Sequence, residues 1–302
     1  MAILADANAC VLVQGITGRD AVDLVQANLD YGARIVAGVT PGKGGATVFG
    51  VPVYDTVAEA LARHRAQVSV IVVPPSSVLD ASREAIDNGL KLIVILTERV
   101  PRKDVVQLLE YALMQGARAI GPNSLGLISP GQTRIGMLGG PVADARLSFM
   151  PGQVGIMSRS GGMVTEIASM LTQAGIGQST CISIGGDPIV GSAFVDLLPL
   201  FEADPATSIL TIFCEPGGRM EEDLNARLKN QPSRLPIVSF VAGRFTDRLP
   251  GIRFGHAGAI VQGRYGSPAA KAETLAALDN VQVAQRISDI PRLVQTLLDQ
   301  GA

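Results

Sequence analysis

The stretch Ala9-Cys10-Val11-Leu12-Val13-Gln14-Gly15-Ile16-Thr17-Gly18-Arg19-Asp20-Ala21 runs from an apolar, β-branched segment through two glycines into a longer amphipathic one. It reads as a strand, a tight turn and a helix over Arg19 to Tyr31, with Val22, Val25 and Leu29 on one face and Gly32 as the stop. The same rhythm continues outward. Further strands are predicted at Ile35 to Val39, Val68 to Val73, Leu92 to Leu96 and Arg118 to Ile120, and helices at Val57 to Arg63 and Val78 to Asn88. Short apolar runs alternating with amphipathic ones specify an α/β fold, a parallel sheet covered by helices.

Between Gly121 and Gly152 the rhythm breaks into a passage containing Pro122, Pro130, Pro141 and Pro151, which marks a boundary. It restarts with a strand at Val154 to Ser158, a helix from about Gly162 to Ala174, and strands at Ser179 to Ile184, Ile209 to Cys214 and Ile237 to Ala242. A helix over Pro268 to Leu278, a strand at Val281 to Ala284 and a helix over Ile290 to Leu298 follow. Both halves read as doubly wound units, and 302 residues suit two domains of about 150 each.

Composition narrows the function. A net charge of −2, no Trp, four Tyr and eight Phe leave neither the basic footprint nor the stacking platform that nucleic acid needs. Cys10, Cys181 and Cys214 are widely spaced in apolar runs, which points to reduced core thiols and neither a disulfide framework nor a metal site. No apolar run approaches the ~20 residues of a membrane span, and no secretory signal opens the chain, so a cytoplasmic location is expected. The 34 glycines exceed the roughly 7% usual share and imply many tight turns or close ligand approaches.

The turn Gly15-Ile16-Thr17-Gly18-Arg19-Asp20-Ala21 lets backbone approach a phosphate at a helix N-terminus, or else is a packing corner. A dinucleotide site wants an acid at the end of the second strand. Here Val39-Thr40-Pro41-Gly42-Lys43-Gly44-Gly45 stands there instead, and Lys43 suits a nucleotide bearing an extra phosphate, such as coenzyme A, unless it is only a solvated loop lysine. Gln14-Gly15-Ile16-Thr17-Gly18, Gly38-Val39-Thr40-Pro41-Gly42-Lys43-Gly44-Gly45, Leu96-Thr97-Glu98 and Gly121-Pro122-Asn123 follow in this order and spacing. In these motifs the chain resembles, over essentially its whole length, the α subunits of the succinyl-CoA synthetase family, the ADP- or GDP-forming acid–CoA ligases. The resemblance implies a Rossmann-like CoA-binding domain over 1–125, a linker over 126–152 and a flavodoxin-like CoA-ligase domain over 153–302. It further implies a coenzyme A site lined by Thr17, Gly18, Arg19, Asp20, Lys43, Val73, Pro74, Leu96, Thr97 and Glu98. Ala21 departs from the family's usual glycine at a position that governs helix packing more than ligand contact.

There are two histidines. His64, in an Arg-His-Arg stretch, reads as a solvated helix end. His256, in Gly255-His256-Ala257-Gly258-Ala259, is flanked by small residues that permit close approach, and on its residues alone a structural histidine is the better reading. The resemblance makes it the phosphorylated histidine, since a neutral imidazole attacks phosphorus readily near neutral pH. Ser158-Arg159-Ser160-Gly161-Gly162, a strand entering a helix through a glycine turn, is either an N-cap or an anion cradle; the resemblance implies that Ser158, Arg159, Ser160 and Gly161 receive the phosphohistidine. Glu215, in Cys214-Glu215-Pro216-Gly217-Gly218, then matches the glutamate that orients it, leaving Nε2 free to attack. Asp187, in Gly185-Gly186-Asp187-Pro188, reads as structural.

No G-x-x-x-x-G-K-[ST] loop occurs. By resemblance, ATP or GTP with Mg2+ is handled by a separate ATP-grasp β subunit in an αβ or α2β2 heteromer, and the product is the acyl-CoA of a tricarboxylic acid cycle acid or a related carboxylate. The family's usual Ser-Gly-Thr-Leu-Thr-Tyr-Glu becomes Ser160-Gly161-Gly162-Met163-Val164-Thr165-Glu166, and its Gly-Pro-Asn-Cys-Pro-Gly becomes Gly121-Pro122-Asn123-Ser124-Leu125-Gly126. The loop from Gly243 to His256 is two residues longer. Asn123 and Thr165 therefore mark the acid-binding end, and the changes there point to malate, citrate or another acid beside succinate. Two rivals remain: a non-catalytic acyl-CoA-binding subunit, and a nicotinamide dehydrogenase, which Thr40 to Lys43 disfavour.

Overall fold

The computed structural model describes residues 2–245, 261 and 266–301. The first unit opens with β1 (Cys10–Gln14), α1 (Arg19–Tyr31), β2 (Arg34–Val39), β3 (Thr47–Val48), β4 (Val51–Tyr54) and α2 (Val57–Leu61). It continues through β5 (Val68–Ile71), α3 (Val78–Asp87), β6 (Leu92–Ile95), α4 (Arg102–Met114) and β7 (Arg118–Ile120). Its sheet has the order β3-β4-β2-β1-β5-β6-β7, parallel apart from the β3–β4 hairpin. Omitting β3, this is the Rossmann order. β1, β5 and β6 are buried along their whole length, as strands covered on both faces must be. β4 carries Pro52, which hides it in the sequence pattern.

Helix α1 ends where expected, at Gly32 with φ 116°, whose N–H donates to the carbonyls of Asn28 and Leu29. Its buried face differs from the predicted stripe. Ala21, Leu24, Val25 and Asn28 point inward, while Val22 and Leu29 are half-buried. The reason is Asn28, a polar residue that the apolar pattern passes over: its Nδ2 donates to the carbonyls of Leu24 and Gly136, and its Oδ1 accepts from Gly136 N–H at 3.0 Å. His64 is likewise half-buried rather than a solvated cap, with Nε2 2.8 Å from the Tyr54 hydroxyl.

The passage over 126–152, expected as a linker, is itself folded. It contains β8 (Gly126–Ser129), β9 (Thr133–Gly136) and α5 (Val142–Ser148), and β8 pairs antiparallel with both β9 and a strand of the second sheet. Two glycines obscure these strands and make them possible. A Cβ on Gly126 would lie 1.9 Å from the Ile135 carbonyl oxygen, and one on Gly136 would lie 2.4 Å from that of Leu125.

Next come β10 (Pro151–Ser158), α6 (Gly161–Gln173), β11 (Gln178–Ser183), α7 (Phe194–Ala203), β12 (Ile209–Cys214) and α8 (Met220–Asn230). β13 (Ile237–Val241), α9 (Pro268–Ala276), β14 (Val281–Ala284) and α10 (Ile290–Asp299) complete the unit. The sheet order is β14-β13-β12-β10-β11-β8-β9. Its parallel part, from β11 to β14, has the flavodoxin order 2-1-3-4-5. The pattern leaves α7 unmarked because Pro199 interrupts it. All three cysteines are buried, and burial pushes the Cys181 and Cys214 thiols well above their ordinary range, as inert core residues require. Among the described residues no helix is long and apolar enough to cross a membrane.

Candidate functional site

In open α/β sheets ligands bind at the carboxyl ends of strands, where the strand order reverses. In the first sheet that point lies between β1 and β5. There the structure forms a cleft of about 660 Å³ whose lining includes Gly18, Arg19 and Asp20 after β1, Val73 and Pro74 after β5, and Leu96, Thr97 and Glu98 after β6. Eight of the ten predicted coenzyme A residues thus meet in one cavity. Gly15 makes the turn, with φ 83° and its N–H on the Val39 carbonyl at 2.8 Å. The N-cap of α1, Gly18, makes no side-chain cap, and Gly18, Arg19, Asp20 and Ala21 line the cleft, which puts the positive end of the helix dipole at its wall. The Thr97 hydroxyl donates to the Val73 carbonyl at 2.8 Å and ties two walls together.

Thr17 and Lys43 are not part of the lining. The Thr17 hydroxyl lies 3.2 Å from Thr40 Oγ1, linking the glycine turn to the loop that carries Lys43. That loop is fixed by Asp55, which accepts from Gly44 N–H at 2.9 Å, while the Lys43 side chain is exposed. Met137, which the sequence reading misses, reaches the same cleft from the second unit and is 44% exposed. A single methionine among glycines carries no signal of its own.

In the second sheet the order reverses between β10 and β12, where Ser158 pairs with Phe213. The Ser158–Gly161 turn and Glu215 therefore end adjacent strands. The predicted phosphate residues come together there, although their side chains serve chiefly to build the turn. The fully buried Ser158 donates its hydroxyl to the Ser160 carbonyl and accepts from Ser160 N–H. Ser160 Oγ caps α6 by accepting from Met163 N–H at 3.4 Å. Arg159 is 4% exposed, and its guanidinium donates to the carbonyls of Gly185, Gly186 and Asp187. What the turn offers an anion is the backbone at the start of α6. Gly161 permits this close packing, since a Cβ there would fall 2.4 Å from Leu125 Cγ.

Asn123 lies between the two crevices. With φ 54° it accepts no helical role; its N–H donates to the Thr97 carbonyl at 2.9 Å, its carbonyl accepts from Gly186 N–H at 3.0 Å, and Nδ2 donates to Asp187 Oδ1 at 3.0 Å. A continuous hydrogen-bonded run therefore leads from Thr97, in the lining of the first cleft, through Asn123 to the 185–187 segment that Arg159 grips. Asp187 is structural in this sense. Thr165, on the first turns of α6, accepts from Gly139 N–H at 3.1 Å and donates to the Gly161 carbonyl, joining the phosphate turn to the loop bearing Met137.

Glu215 is half-buried. Its backbone N–H donates to Glu221 Oε1 at 3.1 Å, and its carbonyl accepts from Lys271 Nζ at 3.0 Å. Neither Glu221 nor Lys271 is marked by any sequence motif. Burial pushes the Glu221 carboxyl up, against the opposing pull of the Lys271 ammonium. His256 lies outside the described residues.

Comparisons with known proteins agree with this geometry. Two family models match, the CoA binding domain over residues 6–99 and the CoA-ligase domain over 157–281. The chain is 42% identical over 301 residues to the succinate–CoA ligase [ADP-forming] subunit alpha 1 of Archaeoglobus fulgidus, covering 99% of each. It is 42% identical over 279 residues to the malate–CoA ligase subunit alpha of Methylorubrum extorquens, covering 91% of each. Among solved structures, ATP citrate lyase from Methanothrix soehngenii in complex with citrate and coenzyme A superposes with a TM-score of 0.91 at 26% identity. That match covers 99% of this chain and 51% of the lyase, so the chain spans about half the length of the solved one. With near-complete coverage at this identity, and with both domains matched in order, the chain belongs to the α-subunit family of the ADP-forming acid–CoA ligases.

Proposed function

We propose that this α subunit acts with an ATP-grasp β subunit as an acid–CoA ligase working through a phosphohistidine. The observation that carries the reading is the hydrogen-bonded run through Asn123, which links the coenzyme A cleft to the phosphate turn. His256 attacks the terminal phosphorus of ATP or GTP, forming a nitrogen–phosphorus bond as the bond to the departing nucleoside diphosphate breaks; the β subunit would hold that nucleotide, with a Mg2+ that would offset its phosphate charge. Glu215 accepts the Nδ1 proton and so holds Nε2 as the nucleophile. The phosphoryl group then passes to a carboxylate near Asn123 and Thr165. The resulting acyl phosphate is attacked by the coenzyme A thiol, with phosphate released. Backbone N–H groups at the start of α6 stabilise the transferring phosphoryl charge.

The acid is proposed to be a hydroxy-di- or tricarboxylate such as malate or citrate. Its support is the set of departures at Gly162, Thr165, Ser124 and Leu125, of which Thr165 bonds the Gly161 carbonyl and Leu125 lies against Gly161. A panel of succinate, malate and citrate assayed on the heteromer tests this, with kcat/KM for one hydroxy acid about tenfold or more above succinate as the expected result. Preference for succinate would overturn it.

Lys43 is assigned to the extra phosphate of coenzyme A. Lys43→Ala is expected to weaken coenzyme A binding roughly tenfold, the value of one charge-assisted contact of about 1.4 kcal/mol. Dephospho-coenzyme A should bind the wild type and the variant alike in calorimetry; an equal loss for both ligands would remove that assignment.

A further inference from the structure

Behind the Glu215 loop lies a buried ion pair. Lys271 on α9 and Glu221 on α8 are 0% and 2% exposed, with Nζ 2.5 Å from Glu221 Oε2. An ammonium has three donors. The other two go to the carbonyls of Glu215, at 3.0 Å, and Gly217, at 2.5 Å. The second oxygen of Glu221 accepts the Glu215 N–H. Pro216 has no N–H to place, and the Gly217 N–H donates to the Gly266 carbonyl at 2.8 Å. The backbone of 215–217 is thus held chiefly by two side chains from separate helices.

Two further contacts converge on the same residues. A Cβ on Gly243 would fall 2.3 Å from Pro216 Cγ, and one on Gly266 would lie 3.0 Å from Gly217 Cα, so both glycines are pressed against this loop. Stability alone is a poor reason for the pair, because buried ion pairs are commonly replaceable by apolar side chains of similar volume at no loss. Lys271 Nζ also lies 3.6 Å from Glu222 Oε2, and the contacts that the pair makes outside α8 and α9 go to the Glu215 loop.

We propose that Lys271 and Glu221 are positioning residues, a buried clamp that fixes the Glu215 loop so that its carboxylate is in place for the phosphoryl relay. The proposal rests on the reading of Glu215 and His256 given above. In the relay a displacement of about 1 Å is enough to slow a step about 100-fold.

The test is phosphorylation of His256 in the heteromer by ATP labelled on its terminal phosphate. The triple variant Lys271→Met, Glu221→Leu and Glu222→Gln removes the ammonium together with both carboxylates that face it, at 2.5 and 3.6 Å, and so leaves no buried charge unpaired. It is expected to keep the wild-type thermal midpoint and coenzyme A affinity while labelling between about 10- and 100-fold more slowly. Glu221→Gln, which keeps the oxygen facing the Glu215 N–H, serves as the second variant and should also slow labelling. Wild-type labelling rates in either folded variant would overturn the clamp. Absence of label on the wild-type heteromer, run alongside, would instead mean that the phosphohistidine reading has failed.

Discussion

A His256→Asn heteromer is expected to lose at least about 10^4-fold in ligase turnover and to carry no acid-labile phosphate, while binding coenzyme A as well as the wild type. The magnitude is that of removing a covalent nucleophile, which leaves only the contribution of binding and electrostatics. Asparagine keeps a polar group of similar reach and cannot take up a phosphoryl group under these conditions, so the loss reports chemistry rather than bulk. Coenzyme A binding should survive because its cleft is built on the other sheet, by loops after β1, β5 and β6. Labelling with terminally labelled ATP, with coenzyme A calorimetry in parallel, separates the two effects. Turnover within tenfold of the wild type would show that phosphoryl transfer bypasses this residue.

Much of the first unit was legible because β1, β5 and β6 are predominantly apolar runs and α1, α3 and α4 stop within two residues of Gly32, Gly89 and Gly116, so periodicity and stop signals agree there. The eight cleft residues could be named before any geometry because the resemblance to the acid–CoA ligase α subunits carries them position by position; periodicity and spacing alone marked only the Gly15–Ala21 turn. Legibility failed where residues act through tertiary pairing. Asn28 looks like an exposed helix position and is a buried bridge to Gly136. The hairpin Gly126–Gly136 looks like a linker because close backbone crossing requires the same glycines that loops use. Lys271 and Glu221 look like surface charges on amphipathic helices, and nothing local distinguishes them from Glu222 or Glu273, since their meaning lies in a loop more than fifty residues from Lys271.

The phosphate turn adds a different lesson. Its serines and arginine resemble an anion site by type, yet three of their polar groups are engaged in building the turn itself. The side chains shape the loop, so an anion bound there would be met by the backbone at the start of α6.

Gly15→Ala is expected to weaken coenzyme A binding by at least about 100-fold, equivalent to roughly 2.7 kcal/mol or more. Gly15 has φ 83°, a left-handed conformation that costs a side chain about 1–2 kcal/mol. Worse, the added Cβ would lie 2.3 Å from the Val72 carbonyl oxygen and 3.1 Å from Val73 Cγ1, and the Val72 backbone, whose N–H donates to the Gln14 carbonyl at the end of β1, cannot yield as a side-chain tip does. Relief requires moving either the β1 turn or the Val72–Val73 wall, and both border the cleft. Gly89→Ala isolates the conformational cost. Its φ is 89° and its Cβ would meet nothing within 4 Å, so it should lower stability by about 1 kcal/mol and leave the affinity unchanged. Because the phosphate turn stands on the second sheet, Gly15→Ala heteromer should still label His256 from ATP while failing to form acyl-CoA at ordinary coenzyme A concentrations. Wild-type affinity in the variant would mean that the turn after β1 does not build the coenzyme A site; loss of labelling together with affinity would mean that the two crevices depend on one another through the Thr97–Asn123–Gly186 run more tightly than two separate sheets imply.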